Sequence, residues 1–151
     1  MIIPENFSEM TKFNTFNELD QTIEIEKPAE VFKNLKILVL IGMDLTWKDV
    51  KKIAPFFPNL KKLVVSNNSC NDFEEIDQIV LHNLKNLESL SICNSEIFVR
   101  NPNMQDEGLV QKNHKIEVLR QFPNLKELKL ENNEITHFPL AKEYKCLTYI
   151  N

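Results

Sequence analysis

The chain writes nearly the same fourteen-residue phrase twice, FPNLKKLVVSNNSC at residues 57–70 and FPNLKELKLENNEI at residues 122–135. In the second copy Leu125, Leu128 and Leu130 stand at positions 1, 4 and 6, followed by Asn133 at 9 and Ile135 at 11. The first copy aligns as Leu60, Leu63, Val65, Asn68 and Cys70. Two weaker copies share the template: LKILVLIGMDL from Leu35, with Met43 at position 9, and LESLSICNSEI from Leu87, with Ser95 there. Four copies in one chain constrain its fold more tightly than any feature of its composition.

The template, L-x-x-L-x-L-x-x-N-x-L, is that of leucine-rich repeats. One such unit cannot bury its own apolar face, so neighbours must stack and share a core. The expected fold is therefore α/β: a leucine-rich-repeat solenoid, with a curved parallel sheet on the concave side and short helices and loops on the convex side. Asn68 and Asn133 are expected to be structural, their amides serving backbone groups that leave the strand without partners.

The starts at Leu35, Leu60, Leu87 and Leu125 are 25, 27 and 38 residues apart, and CLTYIN begins another strand at Leu147 after 22 more. Fixed strands with unequal spacing put the variation in the returns. In TWKDVKKIAPFF, Val50, Ile53, Ala54 and Phe57 form a helical stripe, with Thr46 and Asp49 as a capping pair. In NDFEEIDQIVLHNL, Asn71 or Asp72 can cap a helix that buries Ile76, Ile79, Val80 and Leu84. The long spacing contains a polar insertion, Phe98–Asn113, expected as a surface loop, then a short helix from about His114 to Gln121 that buries Ile116 and Leu119. The last return, THFPLAKEYKC, has room for a turn or two. Before Leu35, TIEIE alternates as a further strand, with Ile23 and Ile25 inward and Thr22, Glu24 and Glu26 outward.

At 151 residues the chain reads as a single domain of about five to six repeats, with residues 1–19 as a flanking or capping segment. It stops at Ile150 and Asn151, halfway through a repeat, and an open terminal strand normally needs a cover. The expectation is a fragment of a longer multidomain protein.

The net charge of −4 does not suit phosphate binding, which normally shows as a basic excess, so nucleic acid is not the expected partner. Two glycines leave no room for a glycine-rich phosphate cradle. No apolar run reaches membrane-spanning length, the N-terminus lacks the marks of a signal peptide, and the three cysteines, Cys70, Cys93 and Cys146, suit reduced thiols. A cytoplasmic or nuclear setting is expected, without a membrane. The sequons at Asn6 and Asn67 then fall by chance, Asn67 inside an expected strand.

His82, His114 and His137 share no metal-like spacing with the cysteines. Glu74, Glu75 and Asp77 read as a helix start and solvated face, and no nucleophile motif is present. The expectation is a binding protein, with no catalysis, cofactor, metal or small-molecule substrate.

The register predicts the binding surface. Ile37, Val39, Ile41 and Val64 form an apolar patch toward the N-terminal end of the concavity, flanked by Lys36, Lys61 and Lys62. With Ser66, Ser89, Ser91 and Lys129 they make the candidate partner-binding face. The competing expectation is that Met1–Leu19, with Phe7, Phe13 and Phe16, folds back over the patch. The row of Lys36, Lys61 and Lys126, interrupted by Glu88, either favours an acidic partner or is a solvated mixed-charge face.

Residues 43–68, MDLTWKDVKKIAPFFPNLKKLVVSNN, resemble the leucine-rich-repeat region of tubulin folding cofactor E, the tubulin-specific chaperone E family. The family's order of an LTW turn, an amphipathic helix ending near AP and an FP-x-L strand start is met by Leu45-Thr46-Trp47, Ala54-Pro55 and Phe57-Pro58-Asn59-Leu60. The later FPNLKELKLENNEI, after a long insertion, is similar too, and the resemblance covers roughly residues 35–151. The family's glycine-rich cytoskeleton-associated domain and ubiquitin-like domain have no counterpart in these residues. The resemblance implies binding of α-tubulin, with other tubulin cofactors, during assembly or dissociation of the α/β heterodimer. It carries over no individual contact residue. A nuclear adaptor in RNA processing or export, and a docking module for an enzyme such as a phosphatase, are the alternatives that the repeats alone leave open.

Overall fold

The computed structural model describes residues 12–16, 32–99, 116–135 and 149–150. Its fold is mixed α/β, built on a parallel sheet. The strands are β1 (Lys12–Phe16), β2 (Ile37–Ile41), β3 (Lys62–Val64), β4 (Ser89–Ser91), β5 (Phe98–Val99), β6 (Glu127–Lys129), β7 (Glu134–Ile135) and β8 (Tyr149–Ile150). Six of them form one sheet in the order β1-β2-β3-β4-β6-β8, every neighbouring pair parallel. β5 and β7 pair in a second, two-stranded sheet.

The repeat register and the observed strand register coincide. Leu38, Leu63, Leu90, Leu128 and Ile150, all at position 4, stand opposite one another across the main sheet. Side chains alternate faces along a strand, so position 4 points one way while 3 and 5 point the other. The first four of these leucines are at most 2% exposed, and positions 1 and 6 join them in one apolar core. Each fully buried leucine contributes about 1.5–3 kcal/mol relative to an exposed one.

The strand beside β2 is Lys12–Phe16, not the expected TIEIE, whose residues 22–26 lie outside the described ones. Phe13 and Thr15 register with Leu38 and Leu40. TIEIE alternates with period two, whereas KFNTF has its phenylalanines three apart, so periodicity favours the segment that does not pair with β2.

The first return forms helix α1 (Trp47–Ile53), continued by a 3-10 turn over Ala54–Phe56. The Asp49 carboxylate accepts from the Thr46 N–H at 3.1 Å and the Thr46 hydroxyl at 2.8 Å, the expected capping pair. The Thr46 N–H first, then Lys52 and the Thr46 hydroxyl, hold the Asp49 carboxyl below the usual carboxylate range. Val50, Ala54 and Phe57 are buried and Ile53 is half-buried. Trp47 is wholly buried, its indole N–H donating to the Cys70 carbonyl at 3.0 Å.

The second return differs from expectation at its start. Asp72 caps only a 3-10 turn, Phe73–Glu75, and helix α2 (Gln78–Asn83) begins afresh where Asp77 accepts from the Ile79 and Val80 N–H groups. The later start turns Val80, Leu81 and Leu84 inward and leaves Ile79 51% exposed, correcting the stripe expected from a single helix. The third return is a 3-10 helix, Ile116–Gln121, that buries Ile116 and Leu119. In the insertion, Phe98 and Val99 are strand β5 and not loop, with Val99 buried against the core. The remainder of the insertion and the return THFPLAKEYKC lie outside the described residues. No helix among the described residues is long and apolar enough to cross a membrane.

Asparagines tie the repeats together at both strand ends. Asn68 Oδ1 accepts from the Met43 and Leu45 N–H groups at 2.9 and 3.1 Å, while its amide donates to the Leu40 and Ser66 carbonyls. Asn133 does the same one repeat-pair later, accepting from Ser95 and Ile97 and donating to Ile92 and Leu130. For two N–H groups at positions 9 and 11 to meet one oxygen, the residue between them turns left-handed: Asp44 and Glu96 have φ near 54°. At the other strand end, the residue before the repeat starts at Leu35, Leu60, Leu87 and Leu125 is also asparagine. Asn59, Asn86 and Asn124 donate to the carbonyls of Lys33, Pro58 and Lys85, each in the preceding repeat.

Candidate protein-binding face

The eleven residues singled out in the sequence all lie on or beside the four consecutive strands β2, β3, β4 and β6, and the structure divides them. On β2 and β3, Ile37, Val39, Ile41 and Val64 are half-buried, as are Lys36 and Lys62. Neighbours on a sheet cover the flanks of each side chain, so partial burial leaves an apolar surface that still meets water. Neither Lys36 nor Lys62 makes an ion pair among the described residues.

Across β4 and β6 the polar groups are occupied with one another. Ser66 and Ser91 are buried, with hydroxyl oxygens 3.2 Å apart. Ser66 Oγ also accepts from the Cys93 N–H at 3.1 Å, and Ser91 Oγ lies 3.3 Å from Cys93 Sγ. Ser89 donates to the Glu127 carboxylate, and Lys129 pairs with it at 3.4 Å. The Ser89 hydrogen bond first, then the charges of Lys129 and Lys62, lower the Glu127 carboxyl below its ordinary value.

Along the N-terminal ends of the strands, Glu88 bridges two lysines. One carboxylate oxygen takes Lys61 at 2.7 Å and the other takes Lys126 at 2.8 Å. The two ammonium groups, Lys126 foremost, hold the Glu88 carboxyl down to about 2. These three side chains line, with Lys36 and Asn59, Asn86 and Asn124, a shallow groove of about 330 Å³. The three asparagine amides already donate to backbone carbonyls. The lysine row is thus partly neutralised from within, and Lys36 is its member without an ion pair among the described residues.

Other reactive groups are quiet. The Cys70 thiol is pushed up to about 12, by burial first and then by the charges of Asp49 and Glu75, so it stays protonated. His82 is exposed, while His114 and His137 lie outside the described residues. Among the described residues no three His, Cys, Asp or Glu side chains come together as a metal site.

Sequence reasoning missed three features, two of which a column-wise reading of the repeats would have shown. Asparagine precedes four of the repeat starts, at Asn34, Asn59, Asn86 and Asn124. Position 8 is Gly42, Asn67, Asn94 and Asn132, and all four have φ between 51° and 66°, the left-handed region that glycine and asparagine tolerate best. Asn67 is therefore an exposed turn residue beyond β3, not a strand residue, and its Oδ1 accepts from Asn94 at 2.8 Å. The third is the buried indole bond of Trp47, whose signal was a lone tryptophan at the start of an amphipathic helix.

No protein-family model matches the chain. Two curated relatives do. Over 104 residues, 68% of its length, the chain is 32% identical to the tubulin-specific chaperone cofactor E-like protein of Homo sapiens. It is 31% identical over 104 residues to the protein of the same name from Rattus norvegicus. The match spans 22% of the length of each relative, so the chain is similar to one segment of a much longer protein.

Proposed function

We propose that the chain is the leucine-rich-repeat recognition domain of a tubulin chaperone, a single curved solenoid whose concave sheet face holds a protein partner. The observation that carries this is the 32% identity over 104 residues to a protein named tubulin-specific chaperone cofactor E-like. The parallel sheet, with its repeat register kept strand by strand, supports the solenoid. The partner is α-tubulin, met together with other tubulin cofactors while the α/β heterodimer is assembled or taken apart, in the cytoplasm. The domain works by binding one conformation of its partner more tightly than another, with no covalent chemistry and no cofactor. Neither nucleic acid nor a membrane enters this function.

The test is a pull-down of α/β-tubulin with the wild-type chain and with Ile37→Asp/Val39→Asp/Val64→Asp, both shown to be folded by circular dichroism. Binding by the wild type and loss in the variant is the expected result. Absence of binding by the folded wild-type chain would remove tubulin recognition from this domain.

A further inference from the structure

The two halves of the sheet face differ in whether their charges are already used. The Ser89, Glu127 and Lys129 side chains satisfy one another, as do Lys61, Glu88 and Lys126. Beside the apolar residues of β2 and β3, by contrast, neither Lys36 nor Lys62 makes an ion pair among the described residues, although the charge of Lys62 is felt at Glu127. The two lysines bracket Ile37: Lys36 precedes it in the chain, and Lys62 is its register partner on β3. Val39 and Val64 follow two residues further along the same strands. A partner filling this half must bury aliphatic surface and bring negative charge to the N-terminal ends of the two strands.

We infer that the β2–β3 half of the face is a docking site for an acid-flanked aliphatic segment of a protein partner, with carboxylates meeting Lys36 and Lys62 and apolar side chains lying on Val39 and Val64. This rests on the chain being a protein-binding domain and specifies what that partner presents. Complementary charge of this kind mainly selects the partner and speeds its arrival, while the apolar contact supplies most of the hold. The β4–β6 half offers no equivalent attraction, because a new carboxylate there would have to compete with Glu88 or Glu127 for ammonium groups already engaged.

The probe is a fluorescein-labelled synthetic peptide with a short leucine run flanked by glutamates, titrated with the full chain and followed by anisotropy. Its counterparts carry lysines in place of the glutamates, or serines in place of the leucines. The acidic peptide is expected to bind best of the three, to weaken about tenfold with Lys36→Glu/Lys62→Glu, and to weaken further with added salt. Lys126→Glu, at a lysine already paired, is expected to change binding less than twofold. Equal binding of the acidic and lysine-bearing peptides, or equal loss with Lys126→Glu, would overturn the assignment, as would no binding of the acidic peptide by a folded chain. The same variants in the tubulin pull-down separate the two claims. Tubulin retained by Lys36→Glu/Lys62→Glu would refute this site and leave tubulin recognition standing. Peptide binding without tubulin binding would do the reverse.

Discussion

The β2–β3 and β4–β6 halves of the four central strands of the main sheet share one scaffold and carry different surfaces. Inward, Leu38, Leu63, Leu90 and Leu128 repeat the same residue in the same register. Outward, valine and isoleucine with two lysines that make no ion pair among the described residues give way to a hydroxyl cluster and internally matched charges. The repeat specifies what lies beneath the strands, and the residues between the leucines decide which half has anything left to offer a partner.

The largest expected effect tests that division. Ile37→Asp/Val39→Asp/Val64→Asp should abolish capture of α/β-tubulin, whereas Glu127→Gln/Lys129→Gln on the other half should leave it within about twofold, since mutually paired surface charges contribute little to a contact. Comparable loss from both variants would dissolve the distinction.

A second test asks whether the scaffold really is common to the halves. Asn68→Ala strips partners from two backbone N–H groups in the turn after β2, and Asn133→Ala does so in the turn after β4. Each should lower stability in urea denaturation by about 2–4 kcal/mol, from the cost of leaving buried polar groups unsatisfied. Asn68 is the more deeply buried of the two and should sit at the upper end. A negligible change at either site would mean that the turns are held some other way.

Position 8 gives a smaller effect. Gly42 has φ near 66° and no atom within 4 Å of where a Cβ would stand, so a substitution there meets backbone strain alone. Gly42→Ala should cost about 1–2 kcal/mol, and Gly42→Asn clearly less, because asparagine holds the same conformation in the other three repeats. Thermal melts of the two variants would separate them.

The smallest effect concerns the charged bridge. The folded Glu88 carboxyl, at about 2, lies below its ordinary 4.5, so the bridge stabilises the fold fully above 4.5 and loses its contribution as pH falls through 2. Glu88→Gln should therefore flatten the acid limb of the stability profile over that window and leave neutral stability nearly unchanged, as expected for an exposed pair. An unaltered acid limb would show that the bridge is not formed in solution.

The inner half of this structure was legible because its signal is periodic. The leucine positions, the two structural asparagines, the Thr46–Asp49 cap and the burial of Ile116 and Leu119 all follow from spacing. What escaped was set by local competition. Asp72 and Asp77 are both good helix caps, and only the geometry shows that the second starts the helix and turns Ile79 outward. TIEIE alternates with period two and KFNTF does not, so the pattern points away from the strand that pairs with β2. On the outer face, the repeat register named eleven candidate residues without showing that Ser66 and Ser91 are buried against each other or that Glu88 holds two of the lysines. Those are pairwise facts, created by strand register and invisible to any single row.

The most direct measurement is site-specific photo-crosslinking to α/β-tubulin, with a benzophenone side chain introduced at Val39 or Val64 and, separately, at Ser89 or Lys129. Crosslinks from the β2–β3 positions, well above those from β4 and β6, are the predicted result. Crosslinks mainly from β4 and β6, with Val39 and Val64 silent, would contradict it.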